Sequence, residues 1–165
     1  MYPTHNTLNE TIRQKSSEVL NKHLAAAIDL HAQMKQAHWN VRGTGFIAVH
    51  ELFDKVAEEV GNYSDMLAER ARAIGATAHG TVQVAAEQSY MVPYKLGVAD
   101  THEHIFAVSA ALAAFGQAVR DDISILDKAK DPDGADLLTQ ISRGIDQQLY
   151  FVESHLPVNV NAPQK

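Results

Sequence analysis

Phe46-Ile-Ala-Val-His50-Glu-Leu-Phe-Asp54-Lys-Val-Ala-Glu-Glu-Val60-Gly-Asn-Tyr-Ser-Asp65-Met-Leu-Ala-Glu69-Arg70 carries two patterns at once. Val49, Phe53, Val56, Val60, Tyr63 and Leu67 recur at spacings of three and four, the apolar stripe of a helix continuing to Ile74. His50 and Asp54 are four apart, and Asp65 and Glu69 repeat that spacing three turns later. At about 100° per residue, this second stripe lies on the order of 150° from the apolar one. A helix with an apolar side and an opposed His/acid side packs into a bundle while presenting its ionisable groups away from that bundle's core.

The flanking sequence supplies partners for such a helix. Upstream, Leu20, Leu24, Ala27, His31, Met34 and His38 form one face of a long helix whose start either Asn6 or Asn9 could cap. Asn40-Val-Arg-Gly-Thr-Gly45 ends it in a tight turn. After Gly75 the periodicity weakens to Val98, with a short helix predicted over 82–88 inside that connection. A third long helix is expected from Asp100 or Thr101, with stripe Ile105, Val108, Leu112, Phe115, Val119 and Leu126, until Asp131-Pro-Asp-Gly breaks it. The fourth carries Leu138, Ile141, Ile145, Leu149 and Val152. Two tight hairpins and a connection of about 25 residues predict an all-α, ferritin-like four-helix bundle with a short helix between helices two and three. Residues 1–165 form one domain, with flexible tails expected at 1–6 and 158–165.

Composition narrows the chemistry. The absence of cysteine among 165 residues excludes disulfide scaffolds, thiolate zinc sites, iron–sulfur clusters and cysteine nucleophiles. The net charge of −6 argues against a protein built mainly to coat nucleic acid, and nine histidines raise the question of metal. No apolar run reaches the roughly 18 residues of a membrane span, and the first residues lack a signal peptide's pattern, so a cytoplasmic location is expected.

One ion cannot take all four outward ligands from a single chain. The centres of the His50/Asp54 and Asp65/Glu69 pairs are about 22 Å apart along the helix, against ligand bonds of about 2 Å. If the helix packs antiparallel on its own copy, crossing near Glu59 and Val60, the first pair of one chain faces the second pair of the other, and the two-fold axis makes two identical sites. Gly61, near the crossing, permits close approach. His38 joins His50 across the hairpin. The predicted set is His38, His50 and Asp54 from one subunit with Asp65 and Glu69 from its mate, a donor set that suits an iron-like divalent ion better than structural zinc. Taken singly, each outward acid is equally at home on a solvated face. His31, on the apolar line, is expected to be a packing or interfacial residue. A di-iron site inside the bundle needs inward Glu-x-x-His motifs, and none of the nine glutamates has a histidine three residues later.

Lys35-Gln-Ala-His-Trp-Asn-Val-Arg-Gly, Phe46-Ile-Ala-Val-His-Glu, Asp65-x-x-Ala-Glu-Arg with Gly75, and Ala135-Asp-Leu-Leu-Thr with Ser142-Arg closely resemble the Dps proteins, the dodecameric mini-ferritins named for binding DNA in starved cells. That resemblance spans nearly the whole chain. It implies a ferroxidase whose catalytic and metal-binding residues are His38, His50, Asp54, Asp65 and Glu69, at a two-fold dimer interface within a homododecamer. The substrates it implies are Fe(II) and hydrogen peroxide or oxygen. Ferric mineral is stored in the shell, with non-haem Fe(II)/Fe(III) and no organic cofactor, in protection of DNA from oxidative damage. Trp39 fits either an electron donor or an amphipathic packing residue. Asp131, Asp133 and Asp136 fit either an acidic entry pore or an ordinary helix start. Twelve copies at −6 each would draw cations inward. Strong DNA binders of the family often carry a Lys-rich tail, whereas this chain offers only Arg13 and Lys15 near its start and Lys165 at its end. Direct DNA binding, and with it association with the nucleoid, is expected to be weak.

Overall fold

The computed structural model describes residues 1–156, five helices joined by short turns and one long connection. They are α1 (Glu10–Asn40), α2 (Phe46–Ala73), α3 (Val82–Gln88), α4 (Thr101–Ala129) and α5 (Pro132–Glu153). Among the described residues there is no strand, only an isolated bridge between Arg42 and Asp100. The tail expected over 158–165 lies outside the described residues.

Side chains fix where the helices start. Asn9 accepts from the Ile12 N–H, which decides between the two candidate caps of α1. Asp100 accepts from the N–H groups of His102 and Glu103, so the cap of α4 is the aspartate rather than Thr101. Asp131 accepts from Gly134 N–H, and Pro132 takes the first turn of α5, where its missing N–H is harmless. Past the end of α2, Gly75 sits at φ 80, and a Cβ there would lie 2.8 Å from the Tyr2 carbonyl oxygen. Only glycine suits both demands.

α1 pairs with α2 and α4 with α5, while α1 against α4 and α2 against α5 close the four-membered ring. Two ties show where the connection runs. Tyr2 N–H donates to Gly75 O, so α2 ends beside the start of α1. Arg42 N–H donates to Ala99 O, and Thr101 Oγ1 donates to Arg42 O, so α4 starts beside the α1–α2 turn. The long connection therefore climbs the full bundle, and α4 runs antiparallel to α1. The core is the set of stripes read from the sequence, with Phe53, Phe115, Leu20, Leu67, Leu112 and Ile141 among its fully buried members. Of the predicted stripes, His31, His38 and Leu149 are only half-buried, because they stand where each stripe turns toward the surface.

Candidate metal centre

His38 ends α1 and His50 opens the second turn of α2, and the tight turn between them lays one imidazole on the other. Their ring centroids are 3.7 Å apart at an interplanar angle of 23°. His38 Nδ1–H donates to His50 O and His50 Nδ1–H donates to His38 O, each at 2.8 Å. A carbonyl oxygen only accepts, so both rings carry their proton on Nδ1 and keep a lone pair on Nε2. A hydrogen bond from the other ring nitrogen to a carbonyl sets the tautomer of a metal-binding histidine.

Asp54, one turn after His50, is exposed. Lys35, one turn before His38, reaches across from α1 and donates to Asp54 Oδ1. That bond, ahead of the attraction of the two nearby histidines, holds the Asp54 carboxyl below the usual carboxylate range. The Lys35 ammonium also lies 5.7 Å from the centroid of the Trp39 ring, which is 67% exposed. Phe46 packs against His50 at 5.0 Å between ring centroids, and Ile47 is exposed beside it. Exposed apolar side chains, Trp39, Phe46 and Ile47, thus border the two imidazoles.

Asp65 and Glu69 are exposed on the same helix, well down its length. Among the described residues, no three His, Cys, Asp or Glu side chains of the one chain form a metal-holding group. The His38 and His50 rings stack and both act electrostatically on the Asp54 carboxyl, but the three do not close into such a group, and Asp65 and Glu69 do not join them. Beside Asp65 opens a hollow of about 520 Å³ lined by Leu24, Ile28, Gly61, Ala68 and Ala78 among others. His31 is half-buried against Gly61, its Cδ2 3.6 Å from where a Cβ would stand.

The three-aspartate cluster divides. Asp131 is fully buried, bonded to Arg70 at 2.6 Å while it caps α5. It is too buried to line a pore: Oδ1 accepts from both the helix start and the guanidinium, while Oδ2 is buried with no hydrogen-bond partner among the described residues. Asp133 and Asp136 are exposed and share a surface depression with Glu69 and Arg70. Lys35 was open to sequence reasoning, since it lies three residues before His38 on one helix face. The burial of Asp131 was not, because it depends on an arginine 61 residues away.

A ferritin-like domain matches residues 17–158. The DNA protection during starvation protein of Agrobacterium fabrum is 37% identical over 156 residues, covering 93% of this chain and 96% of that one. The fine tangled pili major subunit of Haemophilus ducreyi is 31% identical over 85% of this chain and 74% of its own length. Among solved structures, the Dps of Mycobacterium smegmatis in a tetragonal form superposes with a TM-score of 0.90 and 28% identity, covering 96% of both chains. Sequence match, five-helix topology and near-complete coverage agree: this chain belongs to the ferritin-like Dps family.

Proposed function

We propose that the protein is a ferroxidase that takes Fe(II) and hydrogen peroxide, or oxygen, and stores the ferric product in a shell of twelve copies. The observation that carries this is the reciprocal His38–His50 bonding. It spends both Nδ1 protons on the main chain and leaves two Nε2 lone pairs free, with the Asp54 carboxylate within electrostatic reach of both rings. One chain then offers two nitrogens and a carboxylate, and a neighbour across a two-fold axis adds Asp65 and Glu69. Surface relief supports that pairing. Antiparallel packing of α2 on its copy would set the apolar group of Trp39, Phe46 and Ile47 near the partner's hollow beside its acids. Carboxylate oxygens favour the ferric over the ferrous ion, so oxidation is downhill once iron is held. Two ferrous ions give one electron each to a peroxide, which leaves as water or hydroxide. Consuming iron and peroxide together lowers the supply of hydroxyl radical, which is how such a protein protects DNA without gripping it.

Anaerobic Fe(II) titration followed by peroxide tests the centre. His50→Ala/Asp54→Ala is expected to lose most of the fast oxidation seen in the wild type, and equal rates in the two proteins reject ferroxidase activity. A second reading, a shell or fibre subunit without iron chemistry, is favoured by the likeness to a pilus subunit; those equal rates would select it. Particle mass tests the shell: about twelve times 18.1 kDa is expected in solution. Direct DNA binding is proposed to be weak, and a tight gel shift at about 0.15 M salt without divalent metal would contradict this.

A further inference from the structure

The connection between α3 and α4 carries two tyrosines four residues apart, each matched to a buried histidine. Tyr90 Oη lies 2.9 Å from His23 Nδ1, and Tyr94 Oη lies 2.6 Å from His104 Nδ1. His23 is 0% and His104 1% exposed. The far nitrogens decide where the protons sit. His23 Nε2 is 3.0 Å from Asp122 Oδ2, and His104 Nε2 is 3.1 Å from Val98 O. Asp122 also accepts from Lys22 Nζ at 2.8 Å, as a carboxylate does. Carboxylate and carbonyl oxygens only accept, so both Nε2 atoms bear hydrogen, both Nδ1 atoms are bases, and both hydroxyls donate to them.

Burial pushes the His23 imidazolium down to about 4 and lowers His104, so both rings are neutral at neutral pH. Burial also raises the phenols, Tyr94 to about 12 and Tyr90 further. Neither phenol ionises by itself. Losing an electron changes that, because an oxidised phenol is a strong acid and a base already stands in hydrogen-bond contact. The two pairs differ in what lies behind the base. An imidazolium formed at His23 is hydrogen-bonded to a carboxylate, which it shares with Lys22, whereas one formed at His104 is bonded to a carbonyl, with the carboxylates of Glu103 and Asp100 acting only through space.

We propose that Tyr90 is a one-electron redox site of this protein, with His23 as its proton acceptor and Asp122 as the counter-charge. An oxidant of the hydroxyl-radical class takes one electron from Tyr90. The Oη–H bond breaks, and the proton passes to His23 Nδ1. The oxidant leaves as hydroxide, and the products are a neutral tyrosyl radical and an imidazolium held against Asp122; one electron from Fe(II), with the proton returned from His23, reverses the step. Phe115 stacks on Tyr90 at 6.4 Å and 13°, shielding the ring. The location suits a trap for stray oxidising equivalents, a role that rests on the iron–peroxide function proposed above. Leu24, the chain neighbour of His23, lines the same hollow as Asp65, so the pair lies on the side of α1 that borders that half of the centre.

The test uses the intact protein without iron, so its outcome is independent of ferroxidase activity. Flash-generated tris(bipyridine)ruthenium(III) oxidises the protein, and low-temperature electron paramagnetic resonance reads the radical. The wild type is expected to give a tyrosyl signal that Tyr90→Phe loses and Tyr94→Phe keeps. His23→Gln, with helicity checked by circular dichroism, is expected to lower the yield and shorten the lifetime. No tyrosyl signal in the wild type, an undiminished signal in Tyr90→Phe, or loss of the signal in Tyr94→Phe instead would overturn the proposal. Both Phe variants remove only a hydroxyl, so neither depends on rebuilding the core.

Discussion

His38 and His50 each satisfy the other's main chain, so neither ring has to find a partner among side chains that an ion would then displace. Lys35 is the exception at this end of the bundle, because its ammonium occupies the carboxylate an ion would use. Lys35→Met is therefore expected to bind Co(II), a non-oxidising stand-in for Fe(II), roughly two- to fivefold more tightly, the range of an exposed ion pair. Isothermal titration reads this, and weaker binding would show that Lys35 helps to hold the site. His23 gives a pH dependence with a definite sign. Its imidazolium is disfavoured by burial in the folded state and not in the unfolded chain, so its stabilising contribution is complete above about 6.5 and declines as pH falls toward about 4. The loss is on the order of 3 kcal/mol across that window. Urea unfolding at pH 7 and pH 4.5 should show a steeper drop for the wild type than for His23→Gln, and parallel drops would remove His23 as the cause.

At the scale of elements, every helix but α2 begins on a side-chain cap, and α5 shows the most interdependence. Asp131 holds both its first turn and Arg70 of α2, which joins the two helices of the α2–α5 contact at one end. Removing the guanidinium leaves a buried carboxylate without its counter-charge. Arg70→Leu is expected to cost about 3–5 kcal/mol, read by chemical denaturation. Adding Asp131→Asn should recover part of that loss, since the amide oxygen still caps the helix without a charge. A double variant no more stable than the single would mean that Arg70 acts through packing alone. Close packing also limits the middle of this contact, for a Cβ on Gly144 would collide with the Tyr63 hydroxyl.

For the whole molecule, the decisive prediction is complementation between chains. His50→Ala/Asp54→Ala destroys one half of the proposed centre, and Asp65→Ala/Glu69→Ala destroys the other. Each protein alone should be slow. When the two are unfolded together and co-assembled, random pairing puts both kinds of chain in half of the dimers, and each such dimer has one intact centre. Recovery of about one quarter of the wild-type peroxide-dependent rate is expected. No recovery in a properly assembled mixture would place the whole centre within one chain. Particle mass, measured on the same mixture, separates failed assembly from failed chemistry.

Periodicity alone set the four stripes, the crossover and the short α3, because helix faces repeat locally and Gly45, Gly75 and the Asp131-Pro-Asp-Gly break punctuate them. The outward angle of His50, Asp54, Asp65 and Glu69 was legible for the same reason: it follows from 3.6 residues per turn. What tertiary structure decided were matters of long-range pairing. Asp131 left the pore for Arg70. His23, without a role in any motif, became the centre of a buried relay between α1, the connection and α4. The imidazoles of His38 and His50 gained fixed tautomers from each other's carbonyls. A sequence states which groups share a face, but the proton positions and burial that give those groups their chemistry depend on partners from 12 to 99 residues away, which only the packed bundle brings to 3 Å or less.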